Sequence, residues 1–179
     1  MRLSRLTEGI VDLSRAESSK IILEESDFDL NGLIRDNIIL LEPQLNDKNA
    51  VIKAIYADQI TMVHGDKDKI SRVIQNLLSN AVKFSPVDGL IEVETTKTER
   101  KKVLVSIQDH GIGISQEDQK YIFDRFYKAD RTRNEDMHGS GIGLAIVREF
   151  LQAHNEGITV KSVEGEGSTF VFSLKLAEE

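Results

Sequence analysis

The stretch Asp66–Phe84, DKDKISRVIQNLLSNAVKF, constrains this chain more than any other. Ile70, Val73, Ile74, Leu77 and Ala81 recur at steps of three and four, so one helix carries them all on an apolar face. Asp66 or Asp68 can cap its start by accepting orphan backbone N–H groups. A second stripe runs beside the first. Asn76 and Asn80 are four residues apart and Lys83 follows three later, so the three side chains point the same way. Two readings are open for them: polar decoration of a solvated face, or a Mg²⁺ site shared with a bound nucleotide. Mg²⁺ takes hard oxygen ligands and few from protein, which suits neutral Asn carbonyls beside polyphosphate; Lys83 would then take a phosphate oxygen.

Length and charge narrow the partners. The 179 residues fit one domain with an appendage, 40% hydrophobic and 30% charged. A formal net charge of −7 argues against a general nucleic-acid binder. Without cysteine there are neither disulfides nor thiolate metal sites. No apolar run approaches the roughly 20 residues of a membrane helix and no signal peptide precedes the first helix, so the expectation is a soluble, cytoplasmic chain without membrane contact. A start at Met1 is also compatible with a piece of something larger.

Residues 1–20 read as the tail of a longer helix, with Leu3, Leu6, Ile10 and Leu13 in the a/d steps of a helix seam. So short a seam supports at most a weak dimer stalk. Ile21–Leu23 is a short apolar run. Asp27 or Asp29 then caps a helix from Leu30 to Asn46, which Pro43 should kink or end early. Ala50–Tyr56 and Ile60–Val63 read as short strands around a turn at Ala57-Asp58. After the organising helix, Ser85-Pro86-Val87-Asp88-Gly89 is a breaker. Leu90–Thr96 and Val103–Gln108 form a hairpin, and Ser115 with Asp118 resembles a capping box for a short helix reaching Phe123. Asp124–Ser140 reads as a mobile loop. Gly141–His154 is a helix with Ile142, Ala145, Ile146, Phe150 and Leu151 inward, and Ile158–Val163 with Ser168–Leu176 a last hairpin. This alternation predicts an α/β sandwich, a mixed sheet with helices on one face.

Chemistry concentrates in four further places. Asp109 ends a strand before Gly111 and Gly113; it is either a common Asp-Gly turn or an acceptor for a purine amine, with glycines letting the ring approach. Gly139-Ser140-Gly141-Ile142-Gly143 opens a helix and offers backbone N–H groups to an anion; a flexible hinge is the plainer alternative. It is not the GxGxxG dinucleotide fingerprint, nor does it carry the Lys-Ser/Thr ending of the common triphosphate loop. Lys128, Arg131 and Arg133 could close over a triphosphate or remain solvated. Phe123, Phe126 and Tyr127 read as clamps of the loop base to the core, while Phe84 is either core or a stacking partner for adenine. Of the histidines, His64, His110, His138 and His154, none pairs at metal-ligand spacing; His154 ends a helix, where a cation suits the dipole.

Taken together, the boxes resemble the catalytic and ATP-binding domain of bacterial sensor histidine kinases, within the GHKL ATPase superfamily that includes type II topoisomerases and some chaperones. QNLLSNAVKF at 75–84 resembles the asparagine box and DHGIGI at 109–114 the first glycine box. IFDRFYKAD at 122–130 resembles the phenylalanine box, HGSGIGLAI at 138–146 the second glycine box and GEGSTF at 165–170 the last. The resemblance implies a two-layer α/β sandwich of Bergerat type over residues 21–179. Its mixed sheet would carry three main helices on one face, with residues 1–20 a helical stub, the end of the dimerisation helix. It implies ATP and Mg²⁺ as ligands. Asn80, and less directly Asn76, would hold the metal, Lys83 and Lys128 would meet phosphate, Phe84 would lie near adenine and Asp109 would fix its amine. Gly111 and Gly113 would shape the base pocket, and Gly139, Ser140, Gly141, Ile142, Gly143 and Leu144 would wrap the phosphate tail. The family's phosphoacceptor histidine, followed by an acidic residue and a Thr-Pro step, has no counterpart here.

The expectation is therefore an ATP–Mg²⁺-binding kinase core that donates a phosphoryl group to a histidine on another segment, with no catalytic residue of its own in cis. Its partners would be a histidine-bearing dimerisation domain and a response regulator, and its parent protein would be membrane-anchored. The competing expectation is a nucleotide-sensing or docking module that binds without transfer.

Overall fold

A computed structural model describes residues 21–58, 61–129 and 140–178. The expected helical stub and dimer seam at 1–20 lie outside the described residues. Among the described residues the first element is strand β1, Ser26–Asp29, which leads directly into helix α1, Leu30–Ile39. Asp29 caps α1, its side chain accepting from the Asn31 N–H at 3.1 Å. The single helix expected through Asn46 is instead two. α1 stops at Leu40, and α2, Glu42–Lys48, starts with Pro43 in its first turn. Proline lacks the N–H that a helix interior needs but suits the first turn, where that N–H has no partner, so Pro43 opens a helix here.

Strand β2, Val51–Ile55, and strand β3, Met62–Gly65, do not pair with each other. β3 runs antiparallel to β1 in a two-stranded ribbon, with Phe28 opposite Val63. β2 joins the main sheet as an edge, parallel to β4, Leu90–Lys97. β4 pairs antiparallel with β5, Lys102–Asp109. The chain closes with helix α4, Gly143–Ala153, strand β6, Ile158–Val163, and strand β7, Gly167–Lys175. The sheet order is β2-β4-β5-β7-β6, so β7 inserts between β5 and the last edge.

The organising helix is α3, Lys67–Phe84, capped by Asp66, whose carboxylate accepts from the Lys69 N–H at 3.1 Å. Ile70, Val73, Ile74, Leu77 and Ala81 are all buried, as their spacing predicts. They face the inward side of the sheet, where Ile91, Val93, Val103, Val105, Ile107, Phe170, Phe172 and Leu174 alternate with outward residues. The helices and this sheet face enclose one core, a two-layer α/β sandwich. The C-terminal end of α3 is closed by a distant residue. Lys48 Nζ donates to the carbonyls of Lys83 at 2.6 Å and Ser85 at 2.7 Å, placing a cation at the negative end of the helix.

Candidate active site

The polar stripe of α3 forms one wall of a cavity of about 560 Å³. Asn76, Asn80, Lys83 and Phe84 line it from the helix, Asp109 and Gly113 from the end of β5 and the loop beyond. Lys128, Ser140, Gly141, Gly143 and Leu144 complete it. Segments far apart in the chain thus meet at one place, which local spacing alone does not settle.

Asp109 sits where β5 ends, only 6% exposed. The Gly111 N–H donates to its Oδ1 at 2.9 Å. Burial pushes the Asp109 carboxyl above the usual carboxylate range; hydrogen bonds from the Gly111 and Ser168 backbone and the nearby His110 pull the other way. Gly111 itself is absent from the lining. It is where the loop crosses the end of α3 so closely that a Cβ would lie 2.1 Å from the Phe84 carbonyl oxygen. It holds the carboxylate and lets two backbones touch, instead of facing the cavity.

The cations gather elsewhere in the lining. Burial lowers the Lys83 pKa, and the like charge of Lys128 lowers it further. The Lys83 ammonium lies 4.6 Å from the centre of the Phe84 ring. The N-terminus of α4 opens at the cavity, and its first turn has no side-chain cap. Unpaired N–H groups at that terminus attract an anion. Ser140 Oγ accepts from the Ile142 N–H at 3.3 Å, and Ile142 is buried in the core, anchoring the helix instead of lining the site. Asn76 Nδ2 donates to the Arg72 carbonyl at 2.8 Å. Its Oδ1 points at α4, 2.8 Å from the place a Cβ on Gly143 would occupy. A glycine there lets the amide oxygen and the helix terminus stand face to face.

On the α3 wall, Asn76 and Asn80 offer amide oxygens that a hard cation could use. Asn76 Oδ1 is free to act as one because the amide N–H₂ group is the part engaged by the helix backbone. This amide pair is neutral, so it suits a cation already compensated by an anionic ligand, not a bare one. Among the described residues no group of three or more His, Cys, Asp or Glu could hold a metal by itself.

Several lining residues were not assigned to the site by sequence, although Ser115 and Asp118 were read as a cap and Tyr127 as a clamp. Ile112, Ile114, Ile122 and Phe170 form an apolar wall, and Ser115, Asp118 and Tyr127 a polar one. β-Alternation offers a signal for Ser168 and Phe170: Ser168 stands opposite Asp109 in the β5–β7 register, and Phe170 follows two residues later on the same face. The expected helix after Ser115 is a single 3₁₀ turn, Asp118–Lys120. Phe123 does clamp the core, edge-on to Phe170 at 6.4 Å. Phe126 does not: it is 63% exposed at φ +63°, and its N–H donates to the Gly141 carbonyl at 2.9 Å. Gly141, at φ +71°, answers this contact, since a Cβ there would meet Phe126 backbone at 2.8 Å. His154, at the end of α4, is tied at both ring nitrogens: its Nε2 accepts from the Asp66 N–H at 2.9 Å and its Nδ1 lies 2.6 Å from the Phe150 carbonyl. Gly139, Arg131, Arg133 and His138 lie outside the described residues.

Comparison with known proteins agrees with this geometry. Residues 65–178 match the family described as histidine kinase-, DNA gyrase B-, and HSP90-like ATPase. The chain is 34% identical to the sensor histidine kinase WalK of Bacillus subtilis, over 99% of this chain and 29% of that protein. It is 35% identical to drug sensory protein A of Synechocystis, over 97% of this chain and 27% of that protein. It therefore spans under a third of the length of these relatives. Among solved structures, full-length ShkA in complex with AMPPNP superposes with a TM-score of 0.88 at 25% identity, covering 99% of this chain and 36% of that one. The histidine kinase ThkA in complex with the response regulator TrrA superposes at 0.79 with 26% identity, covering 97% of this chain and 48% of that one. The chain belongs to the histidine kinase-, DNA gyrase B- and HSP90-like ATPase family, as an ATP-binding catalytic domain of the histidine kinase kind.

Proposed function

We propose that the cavity binds ATP with Mg²⁺ and that the chain is the catalytic domain of a two-component sensor kinase, passing the γ-phosphoryl group to a histidine outside this chain. One observation carries the reading: a buried carboxylate, two amide oxygens, two ammoniums and an open helix N-terminus line the same cavity. An adenine nucleotide is the ligand that uses all of them. Asp109 would accept the exocyclic amine, with Gly113 and the apolar wall against the base and Phe84 beside it. Lys83, Lys128 and the backbone of Ser140, Gly141, Gly143 and Leu144 would hold the phosphates. Gly111 and Ile142 would support them from behind, and Gly139 would extend the backbone cradle.

Asn80 and Asn76 would hold Mg²⁺, which supplies charge neutralisation between phosphate oxygens. The chain's own residues orient the triphosphate and exclude water. The lysines stabilise charge on the transferring group, and positioning of this kind is most of phosphoryl-transfer catalysis. Residues 1–20 would be the end of the dimerisation helix and residues 21–179 the catalytic domain. The partners would be a histidine-bearing dimerisation domain and a response regulator, the latter as in the ThkA complex. Among the described residues no helix is long and apolar enough to cross a membrane.

The test is to mix the chain with a histidine-bearing dimerisation domain and γ-labelled ATP. Label on the acceptor histidine, dependent on Mg²⁺, is the expected result. Tight ATP binding without any label transfer would favour a docking or sensing module and overturn the kinase assignment.

A further inference from the structure

Tyr127 directly precedes Lys128 and lines the same cavity. Its hydroxyl donates to Asp118 Oδ1 at 2.5 Å. Asp118 is itself fixed: its Oδ2 accepts from Ser115 Oγ at 2.9 Å, and its N–H donates to that hydroxyl at 3.1 Å. The 3₁₀ turn carrying Asp118 is tied to the sheet edge, because Gln119 Nε2 donates to the carbonyls of Ile114 at 2.9 Å and Ser162 at 3.0 Å. On its other side, the Tyr127 backbone abuts the second glycine box. A Cβ on Gly141 would come within 2.9 Å of the Tyr127 carbonyl oxygen. The residue before Lys128 is thus gripped through both its side chain and its main chain.

This grip matters because of what Lys128 has to do. Lys83 and Lys128 face one cavity with like charge; burial lowers the Lys83 pKa and the Lys128 charge lowers it further. A lysine stem is long and flexible, and an exposed ammonium is well solvated. With a loose backbone, Lys128 would swing away from Lys83 before any anion arrived. A phenylalanine at 127 would cover the same apolar area but would lack the bond to a fixed carboxylate.

We propose that Tyr127 is a positioning residue for nucleotide binding: its bond to Asp118 holds the backbone at Lys128 so that this ammonium meets the polyphosphate together with Lys83. The proposal rests on the nucleotide reading of the cavity. Tyr127 acts through Lys128, which sets it apart from a residue that merely fills a wall.

The experiment measures ATP and adenosine affinities, by displacement of a fluorescent nucleotide analogue, for the wild type, Tyr127→Phe, Lys128→Ala and the double variant. Tyr127→Phe should weaken ATP on the order of tenfold, the scale of a charge-assisted hydrogen bond, and lower the ATP-to-adenosine affinity ratio by a similar factor. In the Lys128→Ala background the same substitution should cost less than about twofold, because the two residues act as one unit. Asp118→Ala should reproduce Tyr127→Phe, and Asp118→Asn, whose amide oxygen still accepts, should retain most of the affinity. These two variants carry the same comparison if Tyr127→Phe fails to fold. Unchanged ATP affinity in Tyr127→Phe, equal losses for ATP and adenosine, or an undiminished loss without Lys128 would each overturn the proposal. A wild type that binds adenosine but not ATP would remove the role of Lys128 and the proposal with it, and one that binds neither would also sink the nucleotide reading.

Discussion

Asp109 and Lys83 carry opposite charges and the same burden, burial. For Asp109 burial outweighs the hydrogen bonds it accepts, so its pKa rises in the fold. A raised value means that its contribution to stability is full below the ordinary carboxylate range and is lost as pH rises through the raised value. At neutral pH the ionised Asp109 is a standing cost, tolerated for what it binds. Asp109→Asn should therefore be no less stable than the wild type at pH 7, within about 1 kcal/mol, provided the amide oxygen still accepts from Gly111. Thermal melts at pH 5 and 7 check this; a loss above about 2 kcal/mol at pH 7 would show the carboxylate to be structural.

Lys83 mirrors this case. Burial and then Lys128 lower its pKa, so its charged form is disfavoured in the free fold, a cost relieved as pH rises through the lowered value. Phosphate would restore the charge. ATP binding at alkaline pH should then take up protons, measured as binding enthalpy in buffers of different ionisation heat. The uptake should disappear in Lys83→Met; an uptake that persists there would assign it to another group.

At the scale of elements, the two ends of α3 explain how the site is held. Asp66 caps its start and also accepts from the Glu24 N–H at 2.9 Å and from Lys69 Nζ at 2.5 Å, fastening the segment before β1 to the helix. Burial alone would raise the Asp66 pKa, but the bonds from Lys69 and from the Glu24 and Lys69 backbone outweigh it and the net shift is downward. A lowered value gives stability present above the ordinary Asp range and lost as pH falls through the lowered one. Asp66→Ala should cost about 1–2 kcal/mol at pH 7 and less at acid pH, read from denaturant melts. At the other end of α3, Gly111 lies against the Phe84 carbonyl. Gly111→Ala should unseat the helix end and cost more than about 2 kcal/mol. Gly157→Ala, with nothing within 4 Å of its Cβ and no positive φ, should stay within about 0.5 kcal/mol.

The same elements mark how far the sequence was legible. α3, α4 and the two long hairpin strands of each pair are strongly periodic, and their boundaries agree with the spacing to within a few residues. Non-local choices were not legible. Nothing local to Met62–Gly65 says that it pairs with Ser26–Asp29, and Pro43 reads equally as the end of one helix or the start of another. At the site, residues with a chemical signature were legible in sequence: the asparagines, Asp109 and the glycine run. Ser115 with Asp118 was legible as a local cap, and its hydroxyl does accept from the Asp118 N–H; the bond from Tyr127 to Asp118 was not, because the fold of the loop brings those side chains together.

Over the described residues, the sandwich puts the sheet's inward face and four helices around one core, one more than the three main helices expected, and leaves the cavity where α3, α4 and the end of β5 meet. Its donor set is incomplete without a ligand. The amide oxygens are neutral, so the metal they would hold needs phosphate to complete its charge balance. Asn80→Asp, which adds a negative charge beside that phosphate, should weaken metal-free ATP binding and change the ratio of affinities with and without Mg²⁺. Titration in Mg²⁺ and in chelator reads that ratio, and an unchanged ratio would take Asn80 out of the metal site. The most direct test of the account is calorimetric titration of ATP–Mg²⁺ into the wild type and into Asp109→Asn. One-site binding by the wild type and a loss of about 10- to 100-fold in the variant are expected, the scale of an unpaired buried polar contact. Equal affinities would contradict the placement of adenine at Asp109, and with it the nucleotide cavity itself.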